Sequence, residues 1–210
     1  MIPSFKQISN NMLEQWILPV FNRANENSKC GQCFIVGSYL ITAAHVIYKD
    51  DEYINAYAVF KSHPINLHRE QALLYEHSHT IDGNYHDYAI FALPEISDSP
   101  LHLETITDKK EDLTCFYQRY VKLKNGSFFD VPHLKLMTSR ARLHEQYSDC
   151  LFDCEVNPML IKGDSGCPIV DKENNVVGML VAGDDKSICA FQSAAFIENI
   201  INNYLEQHII

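Results

Sequence analysis

The chain has 210 residues and carries 27 acidic against 17 basic side chains, a formal net charge of −10 at pH 7. This excess of negative charge disfavours nucleic acid and anionic membranes as partners, because both would be repelled. No apolar run approaches the roughly 18–20 residues that a membrane span requires. No basic segment followed by an apolar block, the pattern of a secretion signal, stands near the N-terminus.

The cysteines bear on the compartment and on metal binding. An odd number without a secretion signal favours reduced thiols and a cytoplasmic location over a disulfide framework. Cys30-x-x-Cys33 together with Cys150-x-x-x-Cys154 leaves a structural zinc site as an alternative, although the second spacing is less typical of one. Reduced core thiols are the preferred interpretation, so no metal and no other cofactor is expected. The seven positions are Cys30, Cys33, Cys115, Cys150, Cys154, Cys167 and Cys189.

The predicted elements begin with a helix in the first twenty residues, where apolar side chains recur at helical spacing up to Val20 and Pro19 marks the approaching end. Hairpins are predicted at Asn125-Gly126 and across IVDKENNVVGML. The tail SAAFIENIINNYLEQHI returns to helical spacing and predicts a C-terminal helix. Between Cys33 and about Phe191, ten short runs are predicted as strands: CFIV, YLIT, INAYAVF, YAIFAL, DLTCFY, YVKL, SFFDV, CLFDC, CPIV and VVGMLVAG.

Ten short strands without helices between them predict an all-β, antiparallel sandwich or pair of barrels rather than a parallel sheet. The polar stretch from Leu93 to Leu113 is the candidate connection between two halves. HSH at residues 77–79 is interpreted as a loop with solvated side chains. If His86 lies on a strand, its side chain should point away from its neighbour Asp87.

Three short motifs carry the residue types of nucleophilic catalysis. ITAAHVI places His45 after an apolar strand, HDYAIFAL places Asp87 at the start of another, and GDSGCP places Ser165 between glycines. The glycines allow a sharp bend and a close approach of substrate backbone, and the N–H groups of Gly163 and Ser165 are candidate oxyanion donors. Each motif alone has an ordinary explanation as a strand end or a turn. The three in this order indicate a serine nucleophile served by a histidine base.

With TAAH (42–45), DYAIFAL (87–93) and GDSGCP (163–168), the sequence resembles the trypsin/chymotrypsin-like serine peptidases. It is more similar to their intracellular HtrA-like and viral branches than to the secreted, disulfide-bonded members. The resemblance implies a single peptidase domain over 1–210, built from two antiparallel six-stranded β-barrels at about 22–98 and 112–192 and a C-terminal helix at 193–208. It also implies a His45, Asp87 and Ser165 triad, with Asp82 as the rival acid in the turn-like IDGN.

The resemblance also indicates how substrate is bound. The position that sets charge preference in trypsin aligns with Met159, so cleavage after an apolar or small residue is predicted. The segment VAGDD, from Val181 to Asp185, is expected to pair with substrate backbone as an edge strand. The residues predicted to bind substrate are Met159, Leu160, Lys162, Val181, Ala182, Gly183 and Cys189.

Two departures from the family pattern concern the acids of the site. No IVGG-like stretch precedes Cys33, so Asp164 lacks the N-terminal ammonium that pairs with it in activated secreted members. A buried carboxylate needs some other donor, and no activation of that kind is expected. Val181 stands where many members carry a serine that binds the catalytic acid, which predicts a less tightly held Asp87.

The sequence therefore predicts a serine endopeptidase that cleaves specific intracellular protein targets through an acyl-enzyme, in regulatory or defence signalling. Its expected partners are a protein or peptide substrate and, as a further option, an activating or regulatory protein. A viral polyprotein-processing serine protease is the alternative within the same chemistry. A catalytically idle trypsin-fold binding module is the alternative from a different class.

Overall fold

The computed structural model describes residues 15–49, 52–79, 85–96, 98–106, 113–121, 133–143, 151–157, 161–183 and 188–208. For residues 25–28, 49, 79, 113–121, 133–139, 143, 151–157 and 188–189 the description is confined to the backbone. A C-terminal helix, α1 (Ala194–His208), follows the strands. The strands are β1 (Ile17–Asn22), β2 (Asn25–Val36), β3 (Tyr39–Thr42), β4 (Tyr48–Lys49), β5 (Glu52–Tyr53), β6 (Ala56–Phe60), β7 (His63–Asn66), β8 (Leu74–His79), β9 (Tyr85–Ala92), β10 (Leu113–Val121), β11 (His133–Leu143), β12 (Leu151–Asn157), β13 (Pro168–Val170), β14 (Val176–Gly183) and β15 (Ile188–Ser193).

The first half is a curled antiparallel sheet in the order β7-β6-β1-β2-β3-β9-β8. Its central strands are continuous apolar runs because both of their faces are buried: Phe34, Ile35 and Ile41 are all fully inaccessible. The described sheet has seven strands, one more than the six expected of this barrel. The strands at its two edges, β7 and β8, fall outside the predicted runs and have polar sequences, HPIN and LYEHSH.

The second half is a closed barrel in the order β10-β11-β12-β15-β14-β13, and β10 closes it by pairing with β13. The hairpin predicted in IVDKENNVVGML joins β13 to β14. Asp171 holds its tip by accepting the backbone N–H groups of Glu173 and Asn175, each at 2.9 Å. The hairpin predicted at Asn125-Gly126 lies outside the described residues. The predicted fold class, an all-β chymotrypsin-like pair of barrels, is confirmed.

The prediction of an N-terminal helix is wrong for residues 17–20, which belong to β1 and pair with β2 from Ile17 opposite Phe34. Residues 1–14 lie outside the described part. The helical spacing was misleading because Ile17, Leu18 and Val20 are all buried in the sheet. Residues buried on both faces of a strand show no period of two, and β-branched side chains favour the extended form.

The described part of the connection between the halves is tied to both of them. The hydroxyl of Ser99 donates to the carbonyl of Ile35 in the first sheet at 2.5 Å. The backbone N–H of Glu104 donates to the carbonyl of Val176 in the second barrel at 2.8 Å. These bonds link the first sheet to the second barrel through the connection.

The C-terminal helix α1 begins immediately after β15. The Ser193 hydroxyl caps it by accepting the N–H of Phe196 at 3.2 Å. Ile197 and Ile201 are buried on the face that meets β14 and β15. No helix in the described ranges is long and apolar enough to cross a membrane.

Candidate active site

His45 and Asp87 meet because their strands are antiparallel neighbours. Thr42 at the end of β3 lies opposite Ala89 of β9, so the residues after Thr42 and before Ala89 fall at the same end of the sheet. A short 3-10 turn, Ala44–Val46, then carries His45. The register of one strand pair thus determines which acid lies beside the histidine.

Asp87 contacts His45 through both of its oxygens. Oδ2 lies 2.5 Å from His45 Nδ1, and Oδ1 accepts the backbone N–H of the same residue at 3.0 Å. The Asp87 side chain is fully buried, whereas the His45 side chain remains 32% exposed. When Nδ1–H is donated to the carboxylate, Nε2 keeps its lone pair and can accept a proton. The rival acid Asp82 lies outside the described residues.

Two residues that the sequence analysis did not identify support Asp87. Buried Gln192 of β15 accepts the backbone N–H of Asp87 at 2.8 Å and donates to the carbonyl of Tyr85 at 2.9 Å. The Tyr85 hydroxyl donates to Asp87 Oδ2 at 3.4 Å. Tyr85 has a sequence signal, since it stands two residues before Asp87 and shares its face of β9. Gln192 has none, because the contact joins two distant strands.

The environment of Tyr85 reflects this contact. Burial raises the pKa of its hydroxyl to about 12, and the neighbouring charge of Asp87 and the hydrogen bond to it act in the same direction. Val181, which stands where many members of the family that the sequence resembles carry a serine that binds the acid, is buried. The hydroxyl of Tyr85 therefore supplies a contact for Asp87 that Val181 cannot.

The loop that carries Ser165 bends at two glycines in the left-handed region, Gly163 with φ of 96° and Gly166 with φ of 81°. The N–H of Asp164 donates to the carbonyl of Ile161 at 3.1 Å, so residues 161–164 form a turn. A positive φ at its third residue is typical of a type II turn. At Gly166 a Cβ atom would lie 2.1 Å from the carbonyl oxygen of Gln32, which excludes any side chain there.

Gly31 lets the histidine turn and the serine loop approach strand β2 together. A Cβ atom at Gly31 would lie 2.5 Å from Val46 Cγ2, next to His45, and 2.9 Å from the carbonyl oxygen of Ser165. That same carbonyl accepts the N–H of Gln32 at 2.8 Å. Gly31 was missed by the sequence analysis, although a glycine inside a strand often marks such a close approach.

Asp164 is buried and takes part in holding its own loop. Its Oδ2 accepts the N–H of Ile161 at 3.1 Å, and its carbonyl accepts the N–H of Cys167 at 3.2 Å. The Ile161 N–H is thus one donor to the carboxylate that the sequence analysis left without its family partner. The side chain of Lys29 runs past Gly163, with Nζ 3.8 Å from where a Cβ atom would stand.

The residues predicted to bind substrate are described only in part. Lys162 is exposed, and Ala182 and Gly183 are exposed at the end of β14. β13 pairs with β14 as far as Pro168 opposite Met179, so the end of β14 extends beyond it. The side chain of Val181 is buried, and the backbone of Cys189 pairs with that of Gly183. Met159 and Leu160 lie outside the described residues.

The cysteines of the hypothetical zinc site are also described in part. Cys33 is fully buried, and this burial raises the pKa of its thiol. Cys150 and the side chain of Cys154 lie outside the described part. Among the side chains that are described, no group of three or more His, Cys, Asp or Glu residues could hold a metal ion. Cys167, two residues after the serine, is fully buried, so its thiol does not face solvent beside Ser165.

The fold combines a curled sheet that carries a His–Asp pair with a closed barrel entered by a glycine-framed serine loop. This combination defines the class of the chymotrypsin-like serine peptidases. The family model described as Trypsin matches residues 6–197. The chain belongs to this family and is a serine endopeptidase.

The chain is similar in fold to solved structures of the protease Rv3671c from M. tuberculosis. A serine-to-alanine mutant in an inactive form has 15% identity and a TM-score of 0.63, covering 97% of this chain and 93% of that one. The active form has 17% identity and a TM-score of 0.62, covering 89% of this chain and 79% of that one. No curated protein matches the sequence.

Proposed function

We propose that the chain cleaves peptide bonds with Ser165 as nucleophile, His45 as general base and Asp87 as the acid that orients the base. The observation that carries this proposal is the double contact between Asp87 and His45. A buried carboxylate that accepts both the ring and the backbone N–H of one histidine fixes its tautomer and stabilises the imidazolium. A purely structural histidine does not require this arrangement beside a glycine-framed serine.

In the acylation step, Nε2 of His45 takes the proton of Ser165 as Oγ bonds to the substrate carbonyl carbon. The carbonyl electron pair moves onto oxygen, where the N–H groups of Gly163 and Ser165 donate to it. The C–N bond then breaks, and the leaving amine takes the proton from His45. Water repeats the sequence on the acyl-enzyme, releases the acid and restores Ser165.

The turn at 161–164 supports an oxyanion hole that needs no cleavage-driven activation. Gly163 already has the left-handed φ of a type II turn. The Asp164 carboxylate holds that turn through the N–H of Ile161. Donors fixed before substrate arrives contribute most to catalysis, because they need not reorganise during the reaction.

The substrate we propose is an extended polypeptide. The exposed end of β14 at Ala182 and Gly183 continues past β13 and offers backbone for strand pairing. Five further features of the protein stay predictions. They are a preference for an apolar or small residue before the cleaved bond, a single domain over 1–210, specific intracellular targets, a regulatory or defence role and a cytoplasmic location. A viral polyprotein-processing role and a regulatory protein partner likewise stay predictions.

A mixture of diverse peptides, analysed by mass spectrometry before and after incubation, tests the proposal. The wild type should produce new termini at a restricted set of bonds. Ser165→Ala should lose at least about 10³-fold in rate while remaining folded. Ser38→Ala, in the β2–β3 turn, is the matched control and should cleave like the wild type. A folded wild type that leaves every peptide intact would favour the idle binding module.

A further inference from the structure

Beside His45 lies a row of rings that the hydrolytic steps do not use. The His77 ring centroid is 6.4 Å from that of His45, and the Tyr48 ring meets His77 edge-on at 5.8 Å. Tyr53 continues the row, 5.0 Å from Tyr48, and the Tyr75 ring stands edge-on to Tyr53 at 5.8 Å. We call His77, Tyr48, Tyr53 and Tyr75 the aromatic shelf.

The strand registers explain why these rings share one surface. His77 of β8 lies directly opposite Asp87 of β9, so the two side chains project from the same face of the sheet. Tyr75, two residues earlier on β8, shares that face. Tyr48 and Tyr53 are direct partners across the β4–β5 hairpin, which follows the turn carrying His45. The shelf is therefore continuous with the face on which Asp87 meets His45.

Arg69 contacts the end of the shelf that is farthest from His45, at Tyr53 and Tyr75. Its guanidinium carbon lies 5.6 Å from the Tyr53 ring centroid and 5.1 Å from that of Tyr75, within the range of cation–π attraction. A guanidinium stacked on two rings restrains both of them, which reduces the entropy that they would lose on binding. The shelf is thus a partly preorganised surface.

The shelf is accessible to a ligand. The Tyr53 side chain is 47% exposed, and the other large apolar side chains that are exposed in the described part are Val59 and Ile161. His77 is exposed as well. Aromatic rings prefer tilted and edge-on contacts with one another, so a further aromatic ring can pack favourably against the rings of the shelf. Tyr48 and Tyr75 are half-buried, so Tyr53 and His77 are the exposed members of the shelf. Exposed ring surface beside a catalytic residue is a candidate binding site.

We propose that the aromatic shelf binds an aromatic or large apolar side chain of the peptide substrate close to the cleaved bond. The inference rests on the proposed function and names a substrate feature that the triad does not determine. An extended peptide advances about 3.3–3.6 Å per residue. The near end of the shelf, 6.4 Å from His45, is therefore reached within about two residues of the bond, and Tyr53 within a few more.

The test uses peptides that share one cleaved sequence and differ by Phe or Ala at a single position, scanned over about three residues on each side of the bond. In the wild type, kcat/KM for Phe should exceed that for Ala at least about 10-fold at one of these positions, as expected for filling an apolar subsite. In Tyr53→Ala that ratio should fall towards one. Tyr53→Phe, which keeps the ring, should retain it.

Val59→Ala is the matched control, because Val59 is also exposed and lies on β6, outside the shelf. It should leave the Phe/Ala ratio unchanged. Unchanged selectivity in Tyr53→Ala, or a wild type without any such preference, would overturn the proposal. Labelling of wild-type Ser165 with a small fluorophosphonate separates the two failures. Normal labelling without selectivity rejects the shelf alone, whereas absent labelling rejects the proposed function.

Discussion

Gln192, on the last strand of the second barrel, accepts the backbone N–H of Asp87 in the first sheet at 2.8 Å. Its amide nitrogen donates to the carbonyl of Tyr85, two residues earlier on the same strand. One buried side chain thus satisfies two backbone groups of β9 from the opposite unit. The position of the acid beside His45 depends on the docking of the second barrel as well as on its own strand.

Gln192→Leu should destabilise the protein by about 1–3 kcal/mol, because the buried N–H of Asp87 loses its hydrogen-bond acceptor. Loss of the donor to the Tyr85 carbonyl should lower the stability further. Urea unfolding measures this as a lower transition midpoint. Gln71→Leu, at an exposed position of the Arg69–Gln71 turn, is the control and should change the midpoint little. Equal midpoints for the two variants would contradict the role given to Gln192.

Asp87→Asn should lower kcat by about 10⁴-fold without unfolding the protein. The amide would donate to Nδ1 of His45, which places the proton on Nε2 and leaves the base unable to accept one. Steady-state kinetics on a cleaved peptide measures the loss. Asp98→Asn, at an exposed carboxylate 3.7 Å from Lys61, should retain wild-type kcat. A small effect of Asp87→Asn would assign the orienting role to another acid.

Gly166→Ala should prevent normal folding or abolish activity, because a Cβ atom there would lie 2.1 Å from the carbonyl of Gln32 and 2.7 Å from Thr42 Oγ1. Gly37 provides the comparison. Its φ is also positive, at 52°, but no atom lies within 4 Å of its Cβ position. Gly37→Ala should cost only about 1–2 kcal/mol of backbone strain. Circular dichroism and thermal melts measure the folding and stability of both variants. An equal loss of stability in Gly166→Ala and Gly37→Ala would contradict the role given to the close contacts of Gly166.

The hydrogen bonds of Glu76 make the free energy of unfolding depend on pH. Its partial burial would raise the pKa, but hydrogen bonds from Ser78, His86 and Tyr88 outweigh burial and hold it below the ordinary value of 4.5. The folded state then binds fewer protons than the unfolded state near that pH. The stabilisation of the folded state by charged Glu76 is therefore present above about pH 4.5 and is lost as the pH falls through its lower folded-state pKa.

Glu76→Gln should therefore flatten the decline of stability below about pH 4.5, measured as urea midpoints over a pH series. The neutral amide keeps the side-chain volume but does not titrate. Glu70→Gln, at an exposed position on the Arg69–Gln71 turn, should follow the wild-type curve. A Glu76→Gln curve parallel to that of the wild type would show that the three hydrogen bonds do not favour the charged form.

The features that the sequence predicted are those with a local cause. GDSGCP predicted a bend because two glycines permit positive φ, and both adopt it. The turn residues of IVDKENNVVGML predicted the β13–β14 hairpin because Asp171 binds backbone within the same few residues. Burial of Ile197 and Ile201 on one side of α1 follows from helical spacing alone.

The features that were missed depend on distant partners. Strand β8 was interpreted as a loop around HSH because its sequence is polar, yet pairing with β9 makes it a strand and places His77 opposite Asp87. Gly31 matters only because Val46 and the Ser165 loop converge on it. Gln192 acquires its role from a strand more than a hundred residues earlier. No period or local motif encodes such contacts.

The proposed function requires Ser165 to be a nucleophile that His45 activates. Intact-mass analysis after incubation with a fluorophosphonate, followed by peptide mapping, tests it most directly. We expect a single adduct on Ser165, which is lost in Ser165→Ala and forms far more slowly in His45→Ala, with both variants folded. A folded wild type that forms no adduct, or an adduct on a different residue, would contradict it.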